Sequence, residues 1–291
     1  MADEERSRIV IGVDGSAESA EALTWAQRFA GPGDALVALR AWETPYVPLP
    51  TTAVPNPHDL AQECERHVEH ELAQIVAARR DRRLAPLVRE GRPGPAIVAE
   101  ARSADLVVVG HRGTGQMSMM LGSTANYVLH HATTPVVVVR GERGEVARRV
   151  VVGVDGHDLA DGAENASVRA LRWAYAAPGL TELEVLHAWS LQPVMWEFVG
   201  MEVEDYLDEL DAAAADVIDR VIATAGEPPP GVDVVRRVVR DASSRALIHA
   251  SVDADLVVVG SRGRGGFAGL LLGSTSADAA AYCDAPVVVI R

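Results

Sequence analysis

The sequence predicts an α/β protein built from two repeated, doubly wound (Rossmann-like) domains, and three observations support this class. Short apolar runs alternate with longer segments of helical periodicity, the pattern of βαβ units around a parallel sheet. Runs such as LVVVG lack polar alternation, as expected of strands that helices cover on both faces. The same landmarks also occur twice, since IVIGVDGS (9–16) is answered by VVVGVDGH (150–157), and LRAW (39–42) by LHAW (186–189).

Each repeat is predicted to contain five strands separated by helices. In the first repeat the strands lie near 8–13, 35–42, 84–90, 105–110 and 135–140. In the second repeat they lie near 149–154, 182–188, 232–239, 255–260 and 286–290. A short connection, GERGEVAR, joins the repeats, so we predict domains over residues 1–143 and 144–291.

The composition excludes several classes of function. At 291 residues and 48% hydrophobic content, the chain is long enough to bury two cores. A formal net charge of −14 argues against nucleic acid and anionic membranes as partners. The sequence contains no lysine, which excludes a Walker-type phosphate loop and Schiff-base chemistry.

The start of the chain and its cysteines predict a cytoplasmic protein with reduced thiols. MADEERSRIV carries charges where a signal peptide needs an apolar core, and no apolar run reaches the ~18 residues of a membrane span. Cys64 and Cys283 occupy non-equivalent places in the two repeats, which argues against a disulfide framework or a repeated zinc site.

A glycine-rich loop follows the fourth strand of the second repeat and leads into a helix of small residues. Gly260 and Gly263 are followed, after nine residues, by Gly273 at the start of that helix. Glycine permits close backbone approach, and a helix N-terminus offers N–H groups and partial positive charge, so the loop predicts a phosphate cradle. Further candidate ligands are Arg262, Arg264, Gly265, Ser274, Thr275 and Ser276.

The first repeat carries a shortened version of the loop. Eight residues instead of nine separate Gly113 from Gly122, and Gln116 stands where the second repeat has Gly266. We therefore expect the second repeat to bind phosphate at least as tightly as the first. The candidate ligands of the first repeat are Gly110, Arg112, Gly113, Gly122, Ser123 and Thr124.

An aspartate ends the first strand of each repeat, at Asp14 and at Asp155. In doubly wound sheets, ligands bind beyond the carboxyl ends of the strands, where the strand order reverses. If the first and fourth strands are neighbours there, the aspartate and the glycine loop face one crevice. Such a crevice suits a nucleotide, with phosphates on the loop and the carboxylate near ribose hydroxyls or a magnesium ion.

With these motifs on both repeats, the chain resembles tandem members of the universal stress protein family, in its ATP-binding branch. The resemblance covers both repeats nearly end to end. It implies a five-stranded parallel sheet of order 3-2-1-4-5 in each repeat, and one or two ATP molecules per chain, with Mg²⁺ on their phosphates. It also implies that adenine lies near Gly12, Asp14 and Ala41 in the first repeat, and near Gly153, Asp155 and Ala188 in the second.

Other interpretations of these motifs stay open. The glycine loops could be plain strand-to-helix turns, and Gly263–Ala268 matches the dinucleotide pattern G-x-G-x-x-A, although it follows the fourth strand instead of the first. Cys64-x2-His67-x2-His70 could suggest a metal site, but the surrounding glutamates favour a solvated helix surface.

The leading hypothesis for function is a nucleotide-dependent regulator in the stress response that is not a metabolic enzyme. A slow ATPase or nucleotidyl-transfer enzyme on the same fold, and a nucleotide-free interaction module, are the alternatives. We also expect an intrachain pseudo-dimer that pairs the final strands, 135–140 and 286–290, because each is an apolar edge that its twin can cover. A homodimer through another surface is compatible with that pairing.

Overall fold

A computed structural model of the protein describes residues 7–44, 57–113, 121–141, 147–156, 165–191, 203–261 and 272–291. The chain divides into two compact units, Met1–Arg140 and Gly141–Arg291. The predicted domain boundary between residues 143 and 144 lies outside the described residues.

The first unit is a parallel sheet flanked by helices. Its strands are β1 (Arg8–Gly12), β2 (Ala35–Trp42), β3 (Leu84–Glu90), β4 (Leu106–Gly110) and β5 (Val136–Val139). Its helices are α1 (Ala17–Phe29), α2 (Pro57–Arg79), α3 (Pro93–Ala101) and α4 (Ser123–His131). All strand pairs are parallel, and the order within this unit is β3-β2-β1-β4-β5.

The second unit repeats this arrangement. Its strands are β6 (Arg149–Gly153), β7 (Glu182–Trp189), β8 (Asp233–Arg240), β9 (Leu256–Gly260) and β10 (Val287–Ile290). Its helices are α5 (Ala166–Tyr175), α6 (Val203–Ala225), α7 (Ser243–Ser251) and α8 (Ser274–Tyr282). The order β8-β7-β6-β9-β10 is again parallel throughout, so the predicted fold class is confirmed.

The central strands form the core of each unit. Val10 and Ile11 of β1 and Val107 and Val108 of β4 are fully buried, because helices cover both faces of the sheet. This explains why these strands lack polar alternation. Both cysteines are free thiols, and Cys283 is buried. Within the described residues, no helix is long and apolar enough to cross a membrane.

Two histidines of α2, His67 and His70, lie on the solvent-facing side of that helix. His67 Nε2 lies 3.3 Å from Glu71, and His70 lies 2.9 Å from the Gln74 side chain, one turn away. Both histidines are exposed, which supports the interpretation of this segment as a solvated surface. The described part of the chain contains no group of three His, Cys, Asp or Glu residues able to hold a metal ion.

Candidate functional site

A cavity of about 670 Å³ lies at the carboxyl ends of β1, β2 and β4 in the first unit. Strand β1 is the switch point of the sheet, because it pairs with β2 on one side and with β4 on the other. The volume is within the usual range for small-molecule sites. All nine residues predicted for this unit line the cavity: Gly12, Asp14, Ala41, Gly110, Arg112, Gly113, Gly122, Ser123 and Thr124.

One wall of the cavity is apolar, and the sequence analysis missed most of it. Leu39 of β2 and Pro93 and Ile97 of α3 line this wall. A Cβ on Gly12 would lie 2.9 Å from Ile97 Cδ1, so the absence of a side chain at Gly12 allows α3 to pack directly over the end of β1. The apolar residues of the helix that follows β3 could have indicated this wall in the sequence. Only the tertiary structure, however, places these residues over the crevice.

Asp14 is held in place by the first turn of α1. Its Oδ1 atom accepts hydrogen bonds from the Ser16 backbone N–H (2.9 Å) and from the Ser16 hydroxyl (2.6 Å). Ser16 Oγ also accepts from the Ser19 N–H (3.1 Å), which caps α1. Gly15 between them has φ +88°, a conformation that favours glycine. The local sequence D-G-S therefore orients the carboxylate and starts the helix together.

The glycine loop of the first unit lies directly against Asp14. A Cβ placed on Gly113 would collide with the Asp14 carboxylate at Oδ2. Any side chain at this position would have to displace that carboxylate, so glycine lets the loop approach the end of β1 with Asp14 in place. The aspartate and the loop therefore face one crevice, as the sequence predicted.

Helix α4 opens toward this crevice. It begins after Gly122, which has no side chain to cap the helix, and its first turn, Ser-Thr-Ala, carries no carboxylate. The Gly122 N–H donates to the His111 carbonyl (2.8 Å), which closes the loop onto the end of β4. A Cβ on Gly122 would lie 3.1 Å from the Arg112 Cα. Backbone N–H groups and the Arg112 side chain thus surround a place suited to an anion.

The second unit repeats the backbone frame of this site. The Val154 N–H donates to Leu186 O (2.9 Å), as the Val13 N–H does to Leu39 O (2.8 Å). The Gly273 N–H donates to Ser261 O (2.7 Å), which closes the second loop as Gly122 closes the first. Of the predicted residues, Gly153, Asp155, Ala188, Gly260, Gly273, Ser274 and Thr275 lie at the equivalent positions, whereas Arg262, Gly263, Arg264 and Gly265 lie outside the described residues.

The two aspartates differ in their surroundings. Asp155 is half-buried, whereas Asp14 is exposed. The Asp155 backbone N–H donates to Ser167 Oγ (2.9 Å), and this hydroxyl lies 3.4 Å from Asp155 Oδ1. The neighbouring helix thus holds each aspartate through a serine, from a different position in each unit.

One predicted ligand of the second unit, Ser276, makes a structural hydrogen bond. Ser276 is buried, and its hydroxyl donates to the Gly260 carbonyl (2.6 Å), so it serves the packing of α8 on β9. The equivalent residue of the first unit, Ala125, is also buried and lies in the lining of the cavity. The role of Ser276 as a phosphate donor stays a prediction.

Two tandem, doubly wound α/β units, with a crevice at the switch point of the first and the same backbone frame in the second, define the class of this protein. The universal stress protein family matches residues 5–140 and again residues 147–291. A universal stress protein of Mycolicibacterium smegmatis is 31% identical over 299 residues, which cover 97% of this chain and 96% of the relative. One of Mycobacterium tuberculosis is 32% identical over 298 residues, with the same coverage. The chain therefore belongs to the universal stress protein family.

Solved structures support the same fold. A universal stress protein from Archaeoglobus fulgidus matches with a TM-score of 0.61 at 19% identity, over 98% of this chain and 96% of that chain. A functionally unknown protein from Pseudomonas aeruginosa matches with a TM-score of 0.67 at 17% identity, over 98% and 92% of the two chains. At these identities the likeness shows the fold alone.

Proposed function

We propose that this protein binds ATP in the crevice of each unit and acts in the cytoplasm as a nucleotide-dependent regulator in the stress response. The observation that carries the proposal is the cavity of the first unit, which joins an apolar wall, a fixed carboxylate and an open helix N-terminus. These are the three environments that an adenine, a ribose and a phosphate chain require.

The phosphate chain would lie at the N-terminus of α4. The N–H groups of Gly122, Ser123 and Thr124 and the guanidinium of Arg112 are its proposed ligands, because they combine helix-terminal donors with a fixed positive charge. Mg²⁺ would enter with the nucleotide, held by the phosphate oxygens.

The adenosine would lie at the other end of the cavity. Ala41, Leu39 and Ile97 offer it an apolar surface, and Asp14 would accept hydrogen bonds from ribose hydroxyls. Asp14 Oδ1 already accepts two hydrogen bonds that shape the turn. We therefore assign Asp14 to binding and propose a regulator, not an enzyme with rapid turnover.

The second unit is proposed to bind in the same way. Its proposed residues are Gly153, Asp155, Ala188, Gly260, Arg262, Gly263, Arg264, Gly265, Gly273, Ser274 and Thr275. The matching closures of the two loops, at Gly122 and at Gly273, support this assignment.

Mass spectrometry of the ligand released from the purified full-length protein by heating tests the proposal. Recovered ATP supports the regulator, recovered ADP supports turnover, and an empty protein that also shows no heat of ATP binding contradicts the proposal. Calorimetry with Asp14→Ala and Asp155→Ala locates the sites, since each change is expected to weaken one of two binding events without unfolding the chain.

A further inference from the structure

His111 is a buried imidazole at the point where the glycine loop of the first unit begins. It lies between Gly110 and Arg112, both of which line the cavity, and only 9% of its surface is exposed. Its backbone N–H donates to the Val139 carbonyl (2.9 Å), and its own carbonyl accepts from the Gly122 N–H (2.8 Å). The residue therefore carries both backbone hydrogen bonds that close the loop.

The imidazole has a defined protonation pattern. Its Nδ1 atom lies 3.3 Å from the Val139 carbonyl, and because a carbonyl can only accept, Nδ1 carries the proton and Nε2 is the basic atom. The charges that act on the ring are Arg140 after β5, Arg112 on the loop and Glu18 on α1. Burial, and then these two arginines, lower the pKa of His111 from its ordinary value, against the opposing effects of Val139 and Glu18.

The second unit has the same backbone and no titrating group at this position. Ser261 donates its N–H to the Ile290 carbonyl (2.6 Å) and accepts from the Gly273 N–H (2.7 Å), as His111 does from Gly122. The backbone closure of the loop therefore forms with either a histidine or a serine at this place.

We propose that His111 couples anion binding in the first unit to the uptake of a proton; this inference rests on the proposed nucleotide site. A phosphate chain at Gly122 would add negative charge beside the residue whose carbonyl accepts the Gly122 N–H (2.8 Å). The bound anion stabilises the protonated ring, and by linkage protonation strengthens binding of the anion. The first unit would therefore hold its ligand more tightly as the pH falls below neutrality.

The test compares the full-length protein with His111→Ser, which places the residue of the second unit in the first. Calorimetry with ATP from pH 7.5 to pH 5.5 should show the affinity of the parent site rising relative to that of the variant by about threefold, equivalent to half a pKa unit. The difference between the proteins is the readout, because the ATP phosphates titrate identically in both experiments. Adenosine, which carries no phosphate, should show no such difference, and neither should the surface control His130→Ser with ATP.

A direct titration separates this inference from the proposed function. Imidazole NMR signals of the full-length protein, with His111 assigned by its loss in His111→Ser, should titrate at higher pH when ATP is present. If ATP fails to bind either protein, the proposed function is wrong, and the same series with pyrophosphate then tests the coupling on the cradle alone. A His111 titration that ATP and pyrophosphate both leave unchanged, or equal pH dependence in parent and variant, would overturn the inference.

Discussion

At equivalent positions of the second strand, the first unit carries Val37 and the second carries Glu184. Val37 pairs in register with Val10, and Glu184 with Val151. The Glu184 side chain is only 4% exposed and accepts from Arg237 Nη1 (3.0 Å) and Arg149 Nη2 (3.4 Å). One backbone frame therefore holds either an apolar contact or a buried carboxylate, provided that the carboxylate has its arginines.

The site shows the same division between frame and side chain. In both units, the glycine before the helix donates its N–H to a backbone carbonyl and so closes the loop. Gly122 donates to His111 in the first unit, and Gly273 donates to Ser261 in the second. The backbone closure that frames the proposed anion site is thus shared, and the residue that accepts the bond differs.

The largest expected loss of stability comes from removing Arg237, one of the two arginines that contact the buried Glu184 carboxylate. Arg237→Leu introduces the residue that the first unit has at the equivalent position, Leu87, and leaves Glu184 with its longer contact to Arg149. We expect a loss of about 3 kcal/mol in the free energy of unfolding, because a buried carboxylate loses its closer partner. Urea denaturation, with hydrogen exchange of the β7 amides, measures the loss.

The double variant Arg237→Leu/Glu184→Val supplies the control for this prediction. It reproduces the apolar pair of the first unit and should recover most of the lost stability, giving a large coupling energy in the double-mutant cycle. Additive effects of the two changes would show that Glu184 does not depend on Arg237.

The next effect concerns acid stability in the first unit. Hydrogen bonds from Arg83 hold the pKa of Asp81 well below its ordinary value, although burial opposes them. A lowered folded-state pKa stabilises the fold above the unfolded-state pKa of about 3.9, and this contribution is lost as the pH falls toward the folded-state pKa. Asp81→Asn should cost about 2 kcal/mol at pH 7, by loss of charge-assisted hydrogen bonds.

Unfolding free energies at pH 7 and pH 3 test whether the contribution of Asp81 to stability is lost as the pH falls. The difference between the parent protein and Asp81→Asn should shrink as the pH falls below about 4. Hydrogen exchange at the end of α1 localises the effect, since Arg83 donates to the Ala30 and Gly31 carbonyls. A constant difference between the two proteins across this range would mean that Asp81 is not held ionised by Arg83.

A smaller effect is expected from a methyl group in the glycine loop. Gly113→Ala places a Cβ against the Asp14 carboxylate and should weaken ATP binding in the first unit by about tenfold, or ~1.4 kcal/mol. Gly31→Ala is the matched control, because a Cβ there meets only ordinary contacts at 3.5 Å. Calorimetry with ATP measures the affinity of both variants, and only Gly113→Ala should lower it.

Gly263→Ala tests the ranking of the two sites. The second loop keeps the longer spacing, so we expect its unit to bind ATP at least as tightly as the first. If Gly113→Ala alone abolished all binding, this ranking would be wrong.

The smallest expected effects come from the two helix caps. Ser16→Ala and Asn165→Ala each remove a side-chain acceptor at the start of α1 or α5, at a cost of about 1 kcal/mol. Ser16→Ala should also weaken ATP binding, because Asp14 loses the hydroxyl that orients it. Thermal unfolding and calorimetry together detect this pair of effects, and equal ATP affinities in the parent and Ser16→Ala would show that Asp14 needs no such support.

Much of the frame was predictable from local sequence. Every predicted strand lies within one residue of an observed strand at each end, because continuous runs of valine bounded by glycine or proline leave few alternatives. The family membership was predictable for a related reason. Asp14, the glycine loop and the small-residue helix recur in both repeats in the same order, so chance spacing is a poor explanation.

Only the tertiary structure decided which side chains serve the crevice and which serve the core. Ser276 was indistinguishable from Ser274 in the sequence, yet it is buried against Gly260, because successive helical residues point about 100° apart. Ile97, distant in sequence, reaches the crevice because α3 packs over Gly12. Local patterns determine where strands, turns and helix ends form, since those depend on near neighbours. The surroundings of a side chain depend on contacts between segments far apart in the chain, and they exist only once the sheet is assembled.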